Sequence, residues 1–121
     1  MYAIAVPLIA GKVEAWKTWI HECQGPLREE FESFNERMKL TLHRAWLVKS
    51  PQQPQVIVVY DGAGAKKFLR KLAASQEPFD KWFRARITEY HGLDFSKLDA
   101  LPPTEIFLDY SAPVYAGIEE K

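Results

Sequence analysis

The chain predicts an α+β fold with the element order β-α-β-β-α-β: a four-stranded antiparallel sheet carrying its helices on one face. Three observations carry this expectation. Apolar residues recur at helical spacing from Val13 to Met38 and again from Phe79 to Tyr90. Stretches of strand character lie before, between and after those helices, at Tyr2–Ile9, Leu40–Lys49, Val56–Tyr60 and Thr104–Tyr110. Glycine and proline punctuate the joints, at Gly11, Pro51–Pro54, Gly62–Gly64 and Gly92.

The opening stretch, Tyr2 to Ile9, is apolar with little alternation, as in a strand covered on both faces. Pro7 cannot donate to a sheet ladder and belongs near the strand's end. Ala3 and Ala5 give one face small side chains. After Gly11, the residues Val13, Trp16, Ile20, Cys23, Leu27, Phe31, Phe34 and Met38 form one continuous helical stripe. Gly25-Pro26 interrupts it. A proline there removes an intrahelical bond, so a kinked helix or two collinear helices follow.

Leu40–Lys49 and Val56–Tyr60 read as a hairpin across the proline-bearing SPQQPQ loop. Placing Lys49 opposite Gln55 puts Arg44, Trp46 and Tyr60 on one face, and His43, Ala45, Leu47, Ile57 and Val59 on the other. A slip of one residue reverses the faces of one strand. Asp61–Gly64 is a turn; it lacks the Gly-Lys-Ser/Thr of a phosphate loop. Lys66–Ala74 is a short helix with Phe68, Leu69 and Leu72 inward. Pro78 suits the first turn of the next helix, and Gly92 suits its left-handed end beyond His91. After a loop stiffened by Pro102-Pro103, Thr104–Tyr110 alternates as a last strand, followed by a tail that frays or lies against a neighbour through Val114, Tyr115 and Ile118.

With 121 residues, 47% hydrophobic and 13% aromatic, the chain is one ordered domain over residues 1–110 with a tail at 111–121. Basic and acidic residues balance at 16 each, which removes the electrostatic case for nucleic acid or anionic membrane. The single cysteine, Cys23, fits a reducing compartment and a cytoplasmic location. The opening apolar run is too short to span a bilayer and has no basic leader. Because two strands are apolar on both alternations, the sheet face opposite the helices is expected to be covered by a second copy in a homodimer.

The element order, the AVPLIAGKVEAW opening, HRAWLVKSP followed by VIVVYDG, and EPFDKWFRARITEYHGLDF together resemble the dimeric α+β barrel superfamily of ferredoxin-like domains. The similarity covers roughly residues 1–110 and is nearest to small bacterial members of no assigned activity. It implies a pocket between sheet and helices or within the barrel. Members include cofactor-independent monooxygenases, isomerases and haem-degrading enzymes. No one group's catalytic motif is matched, so the resemblance transfers no residue role. It implies a small-molecule protein that binds an aromatic or polyketide-like compound, with metal-free oxidation or isomerisation as its chemistry. The alternative is a non-catalytic structural or interaction homodimer.

Five residues stand out as ligand-binding candidates. Arg44, Trp46 and Tyr60, if they share a face, offer a cation, an aromatic wall and a phenol to a planar, partly anionic molecule. His43 serves as proton carrier or haem ligand only where it points into a cavity; no other cofactor is expected. Arg86 falls inside the aromatic stripe of Phe79, Trp82, Phe83 and Tyr90, where it must be paired, snorkel, or anchor an anionic ligand. Glu89, Glu105 and Asp109 are its possible partners. His21 reads as solvated, His91 as a cation at a helix C-terminus, and Cys23 as a small buried apolar group. No histidine or cysteine spacing suggests a metal site.

Overall fold

A computed structural model gives the fold over residues 1–113. Val114, Tyr115 and Ile118 lie outside the described residues. The chain is mixed α+β: β1 (Tyr2–Pro7), α1 (Val13–Gln24), α2 (Arg28–Arg37), β2 (Leu42–Val48), β3 (Gln55–Asp61), α3 (Phe68–Ala74) and α4 (Pro78–His91). A short 3-10 turn, Ala65–Lys67, leads into α3, and another, Phe95–Ala100, follows α4. The sheet is antiparallel with three strands in the order β1-β3-β2.

The expected helical stripe is present and is broken where Gly25-Pro26 predicts. Its residues Trp16, Cys23, Phe34 and Met38 are buried, together with Trp19. Phe34 is the centre of the core. Its ring meets Phe83 at 4.7 Å, Phe79 at 5.6 Å and Phe68 at 6.0 Å, so α2, α3 and α4 converge on one side chain. Offset and edge-on aromatic pairs of this kind add to the area they bury. α4 begins with Pro78 in its first turn and ends on Gly92 at φ 71°, the left-handed stop the sequence predicts.

The Asp61–Gly64 turn passes beneath the end of α2. A side chain on Gly64 would overlap the Met38 carbonyl, and Gly62 adopts φ 125°. Close backbone approach, rather than anion binding, accounts for both glycines.

The structure departs from the expected sheet in two places. The hairpin register is one residue from that expected: Val48, not Lys49, lies opposite Gln55. Rows across the sheet are therefore Tyr2–Tyr60–His43, Ile4–Val58–Ala45 and Val6–Val56–Leu47 towards the helices. On the open face the rows are Ala3–Val59–Arg44, Ala5–Ile57–Trp46 and Pro7–Gln55–Val48. Burial of Val6, Val56 and Tyr60 against the helices selects this register, because a one-residue slip would put β2's His43 and Leu47 on the open face instead. Secondly, residues 104–110 form no strand and pair with none among the described residues. Thr104 reaches the β1 edge, its hydroxyl donating to the Ala3 carbonyl at 2.7 Å. Beyond it Ile106, Phe107, Leu108 and Tyr110 are exposed, Phe107 to 91%. Among the described residues no helix is long and apolar enough to cross a membrane.

Candidate functional site

The inner face of the sheet brings His43 and Tyr60 side by side on paired strands. His43 sits in a box of rings: Phe68 edge-on at 5.5 Å, Phe31 at 5.6 Å and Phe83 at 6.3 Å. Its Nδ1 lies 2.9 Å from the Asn35 side-chain oxygen. Asn35 is itself oriented, since its amide nitrogen donates to the Phe31 carbonyl at 2.9 Å, one turn earlier on α2.

Burial pushes the His43 imidazole down from 6.5 to about 4. Removing a cation from water into an apolar box costs more than the neutral amide of Asn35 returns. His43 is therefore uncharged at neutral pH. The Tyr60 phenol is raised, by burial first and by Tyr2 second, and stays protonated. The Tyr2 ring stacks on it at 6.0 Å. Cys23 is pushed up to about 12 by burial and by Glu22, so it is an inert thiol, the apolar filler its place in the stripe suggests.

Two spaces border His43. An inner cavity of about 70 Å3 lies between sheet and helices, bounded among others by Trp16, Trp19, His43, Val58, Tyr60 and Phe83. A cleft of about 280 Å3 opens at the β2 edge beside the α1–α2 kink, bounded by Cys23, Phe31, His43, Ala45 and Trp46. His43, Ala45, Ile20 and Phe83 wall both. The cleft exists because the chain turns away at Gly25, leaving the edge strand uncovered at Ala45. A more voluminous but open groove of about 560 Å3 adjoins this cleft, sharing Cys23, Gln24 and Phe31 with it and edged by Arg28, Glu32 and Glu36. A solvated groove of that kind cannot enclose an organic ligand.

The five sequence candidates separate. His43 and Tyr60 face the cavity together, whereas Arg44 and Trp46 root on the open face and only border the cleft from the edge. The expected Arg44–Trp46–Tyr60 face does not form, for the register reason above. Arg86 lies away from both spaces, half-buried, and pairs with Glu89 at 3.1 Å. Glu89 also meets Lys12 at 3.6 Å, tying α4 to the start of α1. Glu105 and Asp109 are exposed, and Asp61 binds the chain's amino terminus at 3.0 Å. His91 is not the expected cation: burial lowers it, opposed by the bond from Nδ1 to the Pro7 carbonyl at 2.9 Å.

Three side chains important here are not singled out by the sequence. Asn35 stands one turn beyond Phe31 within the apolar stripe, and a polar residue at that spacing is the only sign of it. Trp19 on α1 lines the inner cavity with its indole N–H buried and unpartnered among the described residues. Asp80, 1% exposed, accepts from Arg37 of α2 and from the Ser75 hydroxyl at 2.6 Å. Arg84 adds bonds to the Leu72 carbonyl at 2.6 Å and the Ser75 carbonyl at 3.0 Å, closing the end of α3. This polar knot holds the helices that roof the cavity.

His43 is the haem ligand the sequence offers, but the space beside it does not suit the group. At about 70 Å3 it is far below even the ~300 Å3 of the smaller ligand clefts. Among the described residues no three His, Cys, Asp or Glu side chains converge as a metal site would need. No family model, curated protein or solved structure matches the chain.

Proposed function

We propose that the protein binds a small, largely apolar organic molecule between its sheet and helices, entering at the β2 edge beside Ala45. The observation that carries this is the pairing of an apolar inner cavity with an open cleft around one half-buried, uncharged histidine. Apolar walls with a few convergent polar groups are the usual make-up of a ligand site. The inner space is under half the ~150 Å3 of a cavity that holds benzene, so it takes only a short aliphatic end, with a single ring of the molecule in the cleft. That scale favours a one-ring compound over a fused polyketide. General acid–base work by His43 is disfavoured, because a catalytic base works best with a pKa near the ambient pH. Binding is thus the better-supported role than oxidation or isomerisation. Toluene and indole titrated against the 15N-labelled protein are expected to shift the Trp19 indole N–H and the Ala45 amide saturably. Ala45→Trp, which plugs the cleft, is expected to abolish the shifts. No saturable change at either position, up to the solubility of the probes, would overturn the reading.

A second reading concerns the partner, and the open sheet face favours it. Trp46 is 50% exposed there, in line with Ile57 and Val48. We propose that a second copy covers this face, and that the Thr104–Tyr110 segment completes a fourth strand in that dimer, giving the ferredoxin-like barrel. An unpaired apolar segment beside an unpaired sheet edge invites this. Sedimentation equilibrium at micromolar concentration is expected to give twice the chain mass, and Trp46→Glu to give the single mass. A wild-type monomer would refute it.

A further inference from the structure

We infer that the Asn35–His43 pair makes this site selective for a neutral ligand that donates an O–H or N–H hydrogen bond to His43 Nε2. The inference rests on the small-molecule reading above and adds the chemistry of the ligand's polar end.

The bonding leaves one assignment. The Phe31 carbonyl only accepts, so the Asn35 nitrogen must face it, and the Asn35 oxygen must face His43. That oxygen only accepts, so Nδ1 of His43 carries the proton. In a neutral imidazole the other nitrogen is then a bare acceptor. Nε2 lies on the far side of the ring from Asn35, in a side chain that walls both the inner cavity and the cleft. It has no hydrogen-bond partner among the described residues, yet it is not sealed. The sealed, unpartnered polar atoms there are Trp19 Nε1 and Arg86 Nε.

The surroundings decide what can satisfy that acceptor. The inner cavity is bounded by apolar side chains plus His43, Tyr60 and His91. Arg44 borders the cleft but not the inner cavity. An anion inside would lose its hydration without gaining a counter-charge, whereas a neutral donor meets an acceptor held in place. A phenol, an alcohol or an indole-type N–H fits. A phenol's proton stays on the ligand, because its pKa of ~10 lies far above that of the buried imidazole. Asn35 is the positioning residue: it touches no ligand, and it sets which nitrogen presents the lone pair.

The test compares phenol with anisole, which keeps the ring and replaces the donor by a methyl ether. Ring-15N spectra of the free protein at neutral pH are expected to show His43 protonated on Nδ1 alone. Phenol is expected to bind about tenfold more tightly than anisole, the value of one net hydrogen bond, and to shift Nε2. Asn35→Leu is expected to release the tautomer and erase that preference, while Asn35→Asp, which keeps the acceptor for Nδ1, retains it. A proton on Nε2 in the wild type overturns the inference, as does equal affinity for phenol and anisole with both binding. Failure of both probes to bind overturns the small-molecule reading, and the inference with it.

Discussion

Replacing Arg37 with methionine is expected to destabilise the protein by about 3–5 kcal/mol, more than any change at the cavity. The reason lies in Asp80. Its carboxylate is 1% exposed and is held by the Arg37 guanidinium and the Ser75 hydroxyl. Ser75 in turn accepts from the Glu77 backbone N–H at 3.2 Å, just ahead of α4. Arg37 itself is partly exposed, so removing Asp80 leaves a cation that can turn to water. Removing Arg37 instead strands a buried anion with a single neutral donor. Asp80→Asn is accordingly expected to cost less than Arg37→Met. Arg37→Met with Asp80→Leu together is expected to recover much of the loss, since an apolar pair of similar volume often replaces a buried ion pair at little cost. Urea denaturation measures all three. Equal losses for Arg37→Met and the double variant would show that the pair matters through packing and not through charge.

Acid is expected to destabilise the fold between pH 6.5 and about 4 through His43. In that window the unfolded chain binds a proton on this imidazole and the folded chain does not. Stability therefore rises with pH across the window and is constant above it. A shift from 6.5 to about 4 corresponds to about 3 kcal/mol lost on acidification. His91, also lowered by burial, acts in the same direction. Asp61 and Asp94 titrate lower still, because hydrogen bonds hold their carboxylates below the usual range. Their stabilising effect is lost only as the pH falls further. His43→Gln keeps a donor for Asn35 but has nothing to titrate. It is expected to flatten most of the slope between pH 6.5 and 4 in urea-midpoint measurements. A wild-type midpoint that does not move across this range would remove His43's burial as a source of its neutrality.

At the same histidine the proposed binding role and stability pull in opposite directions. Its aromatic box excludes the charged form, which costs stability in acid, and that exclusion leaves Nε2 as an uncharged acceptor at neutral pH. A leucine at 43 would avoid the acid penalty, but it would leave the Asn35 oxygen without its donor.

Much of the fold is legible in the residues themselves. Helical periodicity marks α1, α2 and α4, Gly25-Pro26 marks their break, and Pro78 and Gly92 bracket α4. These are local effects, set by backbone geometry within a few residues, so a sequence carries them directly. The hairpin itself is equally plain, but its register is not. Strand pairing repeats every two residues, and Leu42–Val48 offers apolar side chains to both faces, so the pattern alone did not choose between adjacent registers. Helix burial of Val56 and Tyr60 made that choice, and in making it moved His43 inward and Arg44 and Trp46 outward. Arg86 was visible as an arginine out of place, yet its pairing with Glu89 depends on how far its side chain reaches. Asn35 and Asp80 gain their meaning from partners 8 and 43 positions away, and Trp19 from an indole N–H that is unpartnered among the described residues. The residues alone specify the helices, the hairpin strands and the composition of the core. Tertiary packing decided which polar groups share the cavity, because hydrogen bonds and burial depend on neighbours that only the folded chain supplies.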